Sequence, residues 1–342
     1  MATDSERVAP KHSWVWLVVL VGSGAIGIYL AAPATDVLDA AWSRLADVPA
    51  AAISIVVVGA LGLVATEALR IAVIGRIAGA RVRVRDAWDA AVANHVMTAV
   101  TPQVGLGEPT VAYTLAKRGV PWDAAVAIPF VKFTTSLALV FVLGAVLVAT
   151  GFGPPVEPWM TRAAIMWFGA TAVIAIFVIA VCSSARIATR WIPRLAGWLR
   201  RRRKSEKWDG VTRAEKVALR TVTRLATVRR ISKTDALLLL GVHLVYYASY
   251  IAPLVGLACV LGDPPFVTLC LRALVYLCFV FAIPTPGGVG PSEAAAAWFF
   301  GDLVAPADAI VVVVVFRAST CYLQLAIGVL YLPIRSLAGS PR

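Results

Sequence analysis

Long uninterrupted runs of apolar residues restrict what this chain can fold into more than any other feature of its sequence. A hydrocarbon core of about 30 Å is crossed by a helix of roughly 20 apolar residues. Six runs are long enough, at about 14–32, 51–75, 124–150, 161–182, 236–261 and 308–333. Because 60% of the side chains are hydrophobic and only 15% are charged, a water-soluble or disordered chain is excluded. We expect an all-α integral membrane protein.

Two further apolar segments, 87–116 and 266–303, are each interrupted in the middle by proline and glycine. We predict that both are re-entrant helical hairpins, which makes eight hydrophobic segments with six full spans. Lys and Arg mark cytoplasmic loops, and their positions place both termini on the cytoplasmic side of a bacterial cytoplasmic membrane. An alternative for the first run is a cleaved signal peptide ending near Ala32-Pro33-Ala34, although about 19 apolar residues exceed the usual 7–15.

The positive charge of the chain lies in one loop. Residues 183–233 hold 16 of the 32 Lys and Arg and only three acids, so this loop carries the whole net charge of +13. In a membrane protein, such a loop contacts anionic headgroups of the inner leaflet, here at about 200–230, and nucleic acid is not an expected partner. Between 213 and 224, a cation recurs at every third or fourth position, and apolar residues from Val211 to Leu225 lie on the opposite side of the predicted helix. This pattern predicts either an interfacial helix or a solvated one.

An internal repeat relates the two broken segments. The first contains TPQVGLGE, residues 101–108, and the second contains TPGGVGPSE, residues 285–293. Both segments have a proline, an aspartate and a cation at 13, 15 and 24 residues after the glutamate. The cations are Lys132 and Arg317. The predicted repeat units are about 87–150 and 266–333. Because three spans lie between the units, the second unit is inverted relative to the first.

Inverted repeats with paired broken helices are used by transporters to build a binding site at the bilayer midplane. The predicted breaks combine prolines, which lack an amide donor, with glycines that permit tight turns. The predicted break residues are Thr101, Pro102, Gly105, Gly107, Thr285, Pro286, Gly287, Gly288 and Gly290. The predicted substrate-binding residues are Arg70, Glu108, Lys132, Arg272, Glu293 and Arg317.

Two cations and two carboxylates are expected near the midplane. Lys132 lies about nine residues into its helix, which is about 13 Å from the membrane edge, and Arg317 lies equally deep from the other face. A central charge costs about 2.5–3.5 kcal/mol, so these groups require mutual pairing or a polar cavity. One alternative is a structural lock in which Glu108 pairs with Arg317, or Glu293 with Lys132. The other is a site that exchanges these partners for an anionic headgroup.

Several polar residues in the apolar runs have two interpretations. Arg70, which follows Glu67 by three residues, and Arg272 either extend toward the membrane surface or contact a phosphate. His95 is either a hydrogen-bonded neighbour or, with the glutamates Glu108 and Glu293, part of a proton relay. The aromatic group Tyr246–Tyr250 is interpreted as an interfacial anchor.

The stretches NHVMTAVTPQVGLGEP and PTPGGVGPSEAA, together with Arg317, resemble the flippase-like transmembrane domain of lysylphosphatidylglycerol synthases and of its stand-alone relatives. The resemblance covers about 14–335. It implies an all-helical domain that moves a lipid between leaflets: aminoacylated phosphatidylglycerol in the fused enzymes, and a polyprenyl phosphate or glycolipid in relatives. The residues that match the family motifs are Glu108, Gly287, Gly288, Gly290, Glu293 and Arg317. The chain ends at Arg342, so the aminoacyltransferase domain of the fused enzymes is not expected.

The sequence therefore favours a transporter for an anionic or glycosylated lipid, either a phospholipid or a polyprenyl phosphate, and not an enzyme. No cofactor or metal is expected, because the cysteines are scattered and metal-ligand spacings and a P-loop are missing. Two alternatives are a scaffold or sensor for a lipid-modifying enzyme and an intramembrane enzyme acting on a lipid phosphate. A glycosyltransferase or another lipid-modifying enzyme is a candidate partner.

Overall fold

The fold consists of helices throughout the part of the chain that the structure describes. A computed structural model describes residues 35–101, 107–153, 158–182, 184–202, 209–228, 231–282, 295 and 298–337. The helices are α1 (Thr35–Ala46), α2 (Ala50–Ile77), α3 (Val84–Val100), α4 (Gly107–Lys117), α5 (Trp122–Ala149), α6 (Pro158–Cys182), α7 (Ala185–Arg202), α8 (Asp209–Val228), α9 (Lys233–Leu261), α10 (Phe266–Ala282), α11 (Pro306–Arg317) and α12 (Leu323–Leu337). A π-helical turn, Ala318–Tyr322, joins α11 to α12.

Four continuous helices are long and apolar enough to cross a membrane. They are α2 and α5, with 28 residues each, α9, with 29 residues, and the 29-residue stretch Pro306–Ile334 formed by α11, the π-helical turn and α12. The prediction of spanning helices is thus confirmed for four of the six runs. The run 161–182 is helical as α6 but has a shorter apolar stretch, Ala164–Phe177, and the run 14–32 lies outside the described residues. The chain is a multi-pass membrane protein; the total of six spans stays a prediction.

The first broken segment forms a helical hairpin. Helices α3 and α4 lie on either side of the break and pack against each other. The guanidinium of Arg118, just after α4, lies 2.7 Å from the carboxylate of Asp89 near the start of α3. The hairpin therefore returns to the end of the molecule from which it started, as predicted for a re-entrant segment.

The second broken segment is described on both sides of its break but not within it. Helix α10 has 17 residues, the same length as α3. Arg272, six residues into α10, forms an ion pair with Asp302 beyond the break, so the chain again returns to the end where it began. Since residues 283–294 lie outside the described ranges, the inverted repeat stays a prediction.

Ion pairs between loops and helix ends form two groups, one at each end of the molecule. One end holds the pairs Arg76–Asp235, Arg118–Asp89 and Arg224–Asp123. The other end holds Arg44–Asp308 and Arg272–Asp302. These two groups are the same loops that the distribution of Lys and Arg assigns to opposite membrane faces. Which face is cytoplasmic stays a prediction.

The basic loop contains two helices, α7 and α8, instead of the single one that the cation spacing predicts. Helix α8 packs on the start of α5. The Arg224 side chain donates to the carboxylate of Asp123 at 2.6 Å and to the carbonyl oxygen of Ala78 at 2.9 Å. Leu225 is buried, whereas Ala214 on the predicted apolar face is exposed. The C-terminal half of α8 thus packs against protein, whereas the two predicted alternatives placed this helix at the membrane interface or in solvent.

Arg224→Ala is expected to release α8 from α5, because it removes hydrogen bonds to a charged and a backbone acceptor. Bonds of this kind contribute about 1.5–3 kcal/mol, so amide hydrogen exchange within α8 should accelerate about ten- to a hundredfold. The matched control is Arg220→Ala, one turn earlier on the exposed side of the same helix. Equal exchange rates in the two variants would contradict the docking.

Helix α2 lies in the middle of the bundle, where glycine permits close packing. A Cβ atom at Gly59 would overlap the ring of Pro253 in α9 and would lie 2.9 Å from Ser319 Oγ in the π-helical turn. The Ser319 hydroxyl donates to the carbonyl oxygen of Val56 at 3.0 Å, and the Gln324 amide donates to that of Ala60 at 2.7 Å. These contacts hold α9 and the second repeat unit against α2.

Gly59→Ala and Gly62→Ala are expected to differ in stability although both lie in α2. Alanine raises helix propensity equally at both positions, by about 1 kcal/mol. At Gly62 nothing lies within 4 Å of the new Cβ, whereas overpacking at Gly59 costs about 1–3 kcal/mol. Thermal unfolding in detergent should show Gly59→Ala as the less stable variant, and the reverse order would contradict the close packing.

Candidate functional site

A buried carboxylate on α2 is the centre of the polar cluster inside the bundle. The Glu67 side chain is 1% exposed. Its Oε1 accepts hydrogen bonds from Lys132 Nζ on α5 and, at 3.0 Å, from Asn94 Nδ2 on α3. Its Oε2 lies 3.3 Å from Arg70 Nη2, one turn along α2. Since an unpaired charge at this depth would cost several kcal/mol, these contacts are what allows Glu67 to remain ionised there.

Lys132 forms ion pairs with two carboxylates that differ in access to solvent. Besides Glu67, its Nζ lies 3.0 Å from Oε2 of Glu108 in the first turn of α4. The Glu108 side chain is 28% exposed, compared with 1% for Glu67. The four charges of the cluster, on Glu67, Glu108, Arg70 and Lys132, balance. Because the Glu108 side chain is the more accessible of the two carboxylates, it can move away from Lys132 while Glu67 stays buried.

Arg70 has hydrogen-bond donors that no described residue uses. It is 4% exposed, and its guanidinium carbon lies 3.9 Å from the centre of the Tyr246 ring. Its Nε and Nη1 groups make no hydrogen bond with any residue that the structure describes. Nε2 of His95, which is a donor or an acceptor depending on the tautomer, also has no partner among these residues. Because buried donors in folded proteins are nearly always paired, these groups indicate a place for an anionic or hydrogen-bond-accepting ligand.

These groups line the middle part of a cavity of about 710 Å³. This polar part is formed by Glu67, Arg70, His95, Glu108 and Lys132. From there the lining continues along α5 in both directions, over positions 122 to 141, a helical rise of about 28 Å. That length is close to the thickness of the hydrocarbon core.

The rest of the cavity lining is mainly apolar and aromatic. Phe130, Phe133 and Leu137 form its wall on α5, and the exposed side chains Trp122 and Trp167 lie at its rim. From the predicted second repeat unit, Phe281 of α10 and Thr320 and Cys321 of the π-helical turn reach the cavity. A cavity with a charged cluster midway along a long apolar wall suits an amphiphile whose headgroup is negatively charged.

Side chains of α9 fix the position of α5 beside the cluster. His243 Nδ1 lies 2.7 Å from the carbonyl oxygen of Leu239, and its Nε2 lies 3.0 Å from the hydroxyl of Thr135. The Tyr247 hydroxyl donates to the carbonyl oxygen of Ser136 at 2.8 Å. These contacts hold the turn of α5 that follows Lys132, and with it the ammonium group.

The structure brings three of the six predicted substrate-binding residues together: Arg70, Glu108 and Lys132. Arg272 lies elsewhere, near the end of the second hairpin, where it is paired with Asp302 and donates to the carbonyl oxygen of Phe299. Arg317 is buried at the end of α11 but is not among the residues that line the cavity. Glu293 lies outside the described residues.

Lys132 and Glu108 pair within the first repeat unit. The lock predicted from the sequence paired residues across the two units, Glu108 with Arg317 or Glu293 with Lys132. The observed contact joins α4 to α5, and Glu67 on α2 completes it. Within the described residues, this arrangement closes the polar cluster without the predicted second unit, which reaches the cavity through Phe281 of α10 and through the π-helical turn.

The predicted break residues are only partly described. Thr101 caps α3 with extended backbone, and Gly107 opens α4. A Cβ atom at Gly107 would lie 2.5 Å from Thr98 Oγ1 and 2.7 Å from Asn94 Oδ1, so the close approach of α4 to α3 requires glycine. The remaining predicted break residues lie outside the described ranges: Pro102, Gly105, Thr285, Pro286, Gly287, Gly288 and Gly290.

For Arg70, the first of the two interpretations from the sequence is wrong: its side chain does not extend to the membrane surface, since it is buried and paired with the buried Glu67. Arg272 reaches Asp302 at one end of the molecule, which agrees with the first of its two interpretations. A further interpretation is wrong. The tyrosines Tyr246, Tyr247 and Tyr250 are not interfacial anchors, since all three are buried in the bundle. Spacing along one helix could not show that α2 and α5 cover this face of α9.

Sequence reasoning also missed Glu67 and Asn94 as members of the site. A carboxylate in the middle of an apolar run was the available signal for Glu67, but its neighbour Arg70 offered a local partner that explained it. Asn94 carries no charge and had no such signal. For metals, the described ranges contain no group of three His, Cys, Asp or Glu side chains that could hold an ion.

Glu67→Gln and Glu108→Gln are expected to affect stability differently. Neutralising Glu67 leaves Arg70 and Lys132 with one carboxylate between them in a buried setting, and breaking such a network costs about 3–5 kcal/mol. Glu108 is partly exposed and has one described cationic partner, so its variant should lose about 1 kcal/mol or less. Thermal unfolding in detergent measures the difference. Equal losses would contradict the assignment of Glu67 as the structural partner and Glu108 as the exchangeable one.

The sequence comparison agrees with this architecture. The family model described as lysylphosphatidylglycerol synthase TM region matches residues 14–328. No curated protein matches the chain. The matched region includes α3 to α5, which carry Asn94, Glu108 and Lys132, and α2, which carries Glu67 and Arg70. The chain belongs to the family of the lysylphosphatidylglycerol synthase TM region.

Proposed function

We propose that this protein moves a lipid with an anionic headgroup, a phospholipid or a polyprenyl phosphate with or without sugar, between the leaflets of a bacterial cytoplasmic membrane. One observation carries the proposal: the buried Arg70 presents two hydrogen-bond donors without partners among the described residues to an otherwise largely apolar cavity. Membership of the family supports a lipid-related function in the membrane.

The phosphate would bind where donors are available. Its oxygens would accept hydrogen bonds from Nε and Nη1 of Arg70 and from Nε2 of His95, when that nitrogen carries the proton. Charge-assisted bonds of this type are the strongest available to a planar guanidinium. The Tyr246 ring beneath Arg70 keeps the guanidinium in place, so little side-chain entropy is lost on binding.

The entering charge must be compensated, because the empty cluster is neutral. A phosphodiester brings one negative charge into a setting where an uncompensated charge is costly. Glu108 would take up one proton and turn away from Lys132, which then pairs with the phosphate, so the net charge of the cluster and its lipid stays zero. Glu67 would keep Lys132 and Arg70 in position throughout. This exchange would couple lipid movement to a proton.

The lipid tails would remain in an apolar environment during the whole process. Phe130, Phe133 and Leu137 line the cavity along α5, and Trp122 and Trp167 mark openings toward the bilayer. Only the headgroup then needs a polar path, which Arg70 and Lys132 provide.

The two repeat units would open the cavity alternately to the two leaflets. The first unit supplies Glu108 and Lys132, and the second reaches the same cavity through Thr320 and Cys321. Their π-helical turn follows Arg317 directly, and turns of this kind are frequent at functional sites within helices. Rigid movement of one hairpin against the other would change access, as in other transporters built from repeats.

Lipid translocation in proteoliposomes tests the proposal. Fluorescent phosphatidylglycerol and a short polyprenyl phosphate serve as probes, with and without a pH gradient. Arg70→Gln is expected to slow translocation at least about tenfold, because it removes charge-assisted bonds of about 1.5–3 kcal/mol. The matched control is Arg76→Gln, two turns further along α2, where the side chain is exposed and paired with Asp235; its rate should remain unchanged.

A second variant keeps the test independent of folding. Glu108→Gln leaves Glu67 and both cations in place, so the protein should fold, yet the exchange with Lys132 is lost and the pH gradient should no longer change the rate. If the wild-type protein moves neither probe under any gradient, a lipid transporter for these classes is contradicted, and a scaffold for a partner enzyme such as a glycosyltransferase becomes the better explanation.

A further inference from the structure

Helix α7 presents a continuous apolar surface away from the rest of the protein. Trp191, Leu195 and Trp198 follow each other at intervals of four and three residues and therefore share one face. Their side chains are 63%, 58% and 48% exposed. The opposite side of the helix is covered, since Ala196 is buried where α7 packs against α8.

Positive charge borders this apolar face. Arg190 and Arg194 are exposed on the adjoining side of the helix, and the Arg194 guanidinium carbon lies 5.7 Å from the centre of the Trp191 ring. The sequence of α7 contains six arginines and no acidic residue. An apolar face with tryptophan, bordered by cations only, is the composition of helices that lie in an anionic membrane interface.

Neighbouring helices hold α7 at a membrane edge. Helix α8, on which α7 packs, is fastened by Arg224 to Asp123 at the start of the spanning helix α5. Helix α6, which ends at Cys182, is followed almost directly by α7. Both connections place α7 where a spanning helix reaches the membrane surface, so its exposed face has a bilayer beside it.

We infer that α7 is an anionic-lipid binding helix: Trp191, Leu195 and Trp198 insert among the acyl chains at the membrane surface, and Arg190 and Arg194 bind phospholipid headgroups of net negative charge. The sequence alone assigns interfacial contact to the stretch 200–230. The structure adds α7, most of which precedes that stretch, and it shows that Leu225 and Arg224 of α8 contact protein. This inference concerns a surface outside the cavity and does not depend on the proposed transport.

The binding surface also lies near the cavity. Trp122, which lines the cavity at its rim, precedes Asp123, the residue that holds α8. Anionic lipids gathered along α7 would therefore be concentrated close to the opening through which a headgroup reaches Arg70. A local excess of anionic lipid beside α7 is the measurable consequence.

Quenching by spin-labelled lipids in nanodiscs tests this consequence on the full chain. A fluorophore is attached through Leu195→Cys or, as the matched control, through Val267→Cys at the start of α10. Val267 is 68% exposed, and Arg272, the arginine of that helix, is buried and paired with Asp302. Both are made in a chain carrying Cys259→Ala, because Cys259 is the exposed cysteine among those described, and labelling of that parent serves as the blank. The nanodiscs contain phosphatidylcholine with phosphatidylglycerol as the minor component, and the spin label is on one lipid or the other.

Spin-labelled phosphatidylglycerol should be enriched at position 195 about fivefold over spin-labelled phosphatidylcholine, the factor that one arginine near an anionic surface provides. At position 267 the two lipids should quench alike. Arg190→Gln combined with Arg194→Gln should remove the preference at 195 without removing quenching. No quenching at 195 by either lipid would overturn the inference and would indicate water or a protein partner on α7, and equal quenching by the two lipids would overturn it as well.

Discussion

The contact between Glu67 and Lys132 is the interaction on which the rest of the site depends. It joins α2 to α5 across the interior of a membrane protein, where a single charge costs about 2.5–3.5 kcal/mol and is retained only with partners. Arg70 and Asn94 complete the surroundings of the carboxylate, so that Glu67 is satisfied by three helices. With Glu67 fixed in this way, Lys132 keeps one carboxylate partner when Glu108 moves away, so Glu108 can exchange.

The same arrangement explains why the cavity is amphipathic. Helix α5 carries Lys132 between aromatic side chains on both sides, so one helix supplies both the charged part and the apolar wall of the cavity. The buried tyrosines and His243 of α9 hold α5 and the Arg70 guanidinium without adding net charge. The binding site for the headgroup therefore lies deep within the membrane, while the acyl tails of the lipid can lie along the surface of α5.

The sequence predicts some of these features because they are encoded in local patterns. Apolar runs of sufficient length predict the spanning helices, and Thr-Pro with glycine and glutamate predicts the first hairpin and the depth of Lys132. Pairing between distant helices leaves no such pattern, which is why Glu67 was passed over in favour of Glu108 as a partner for the cations, and why the tyrosines of α9 were assigned to the membrane surface. The role inferred for α7 also depends on a tertiary contact, in which Arg224 holds α8 against α5. The spacing of cations along the sequence does not predict this contact.

A structure of the protein in lipid nanodiscs, determined by electron cryomicroscopy in the presence of a phospholipid or polyprenyl phosphate that it transports, tests the account most directly. Density for a phosphate is expected within hydrogen-bonding distance of Nε and Nη1 of Arg70. Glu67 should still contact Lys132, Glu108 should have turned away from it, and an acyl chain should lie along Phe130 and Phe133. A lipid-saturated protein in which Glu108 remains on Lys132 and the space beside Arg70 holds no phosphate would contradict it.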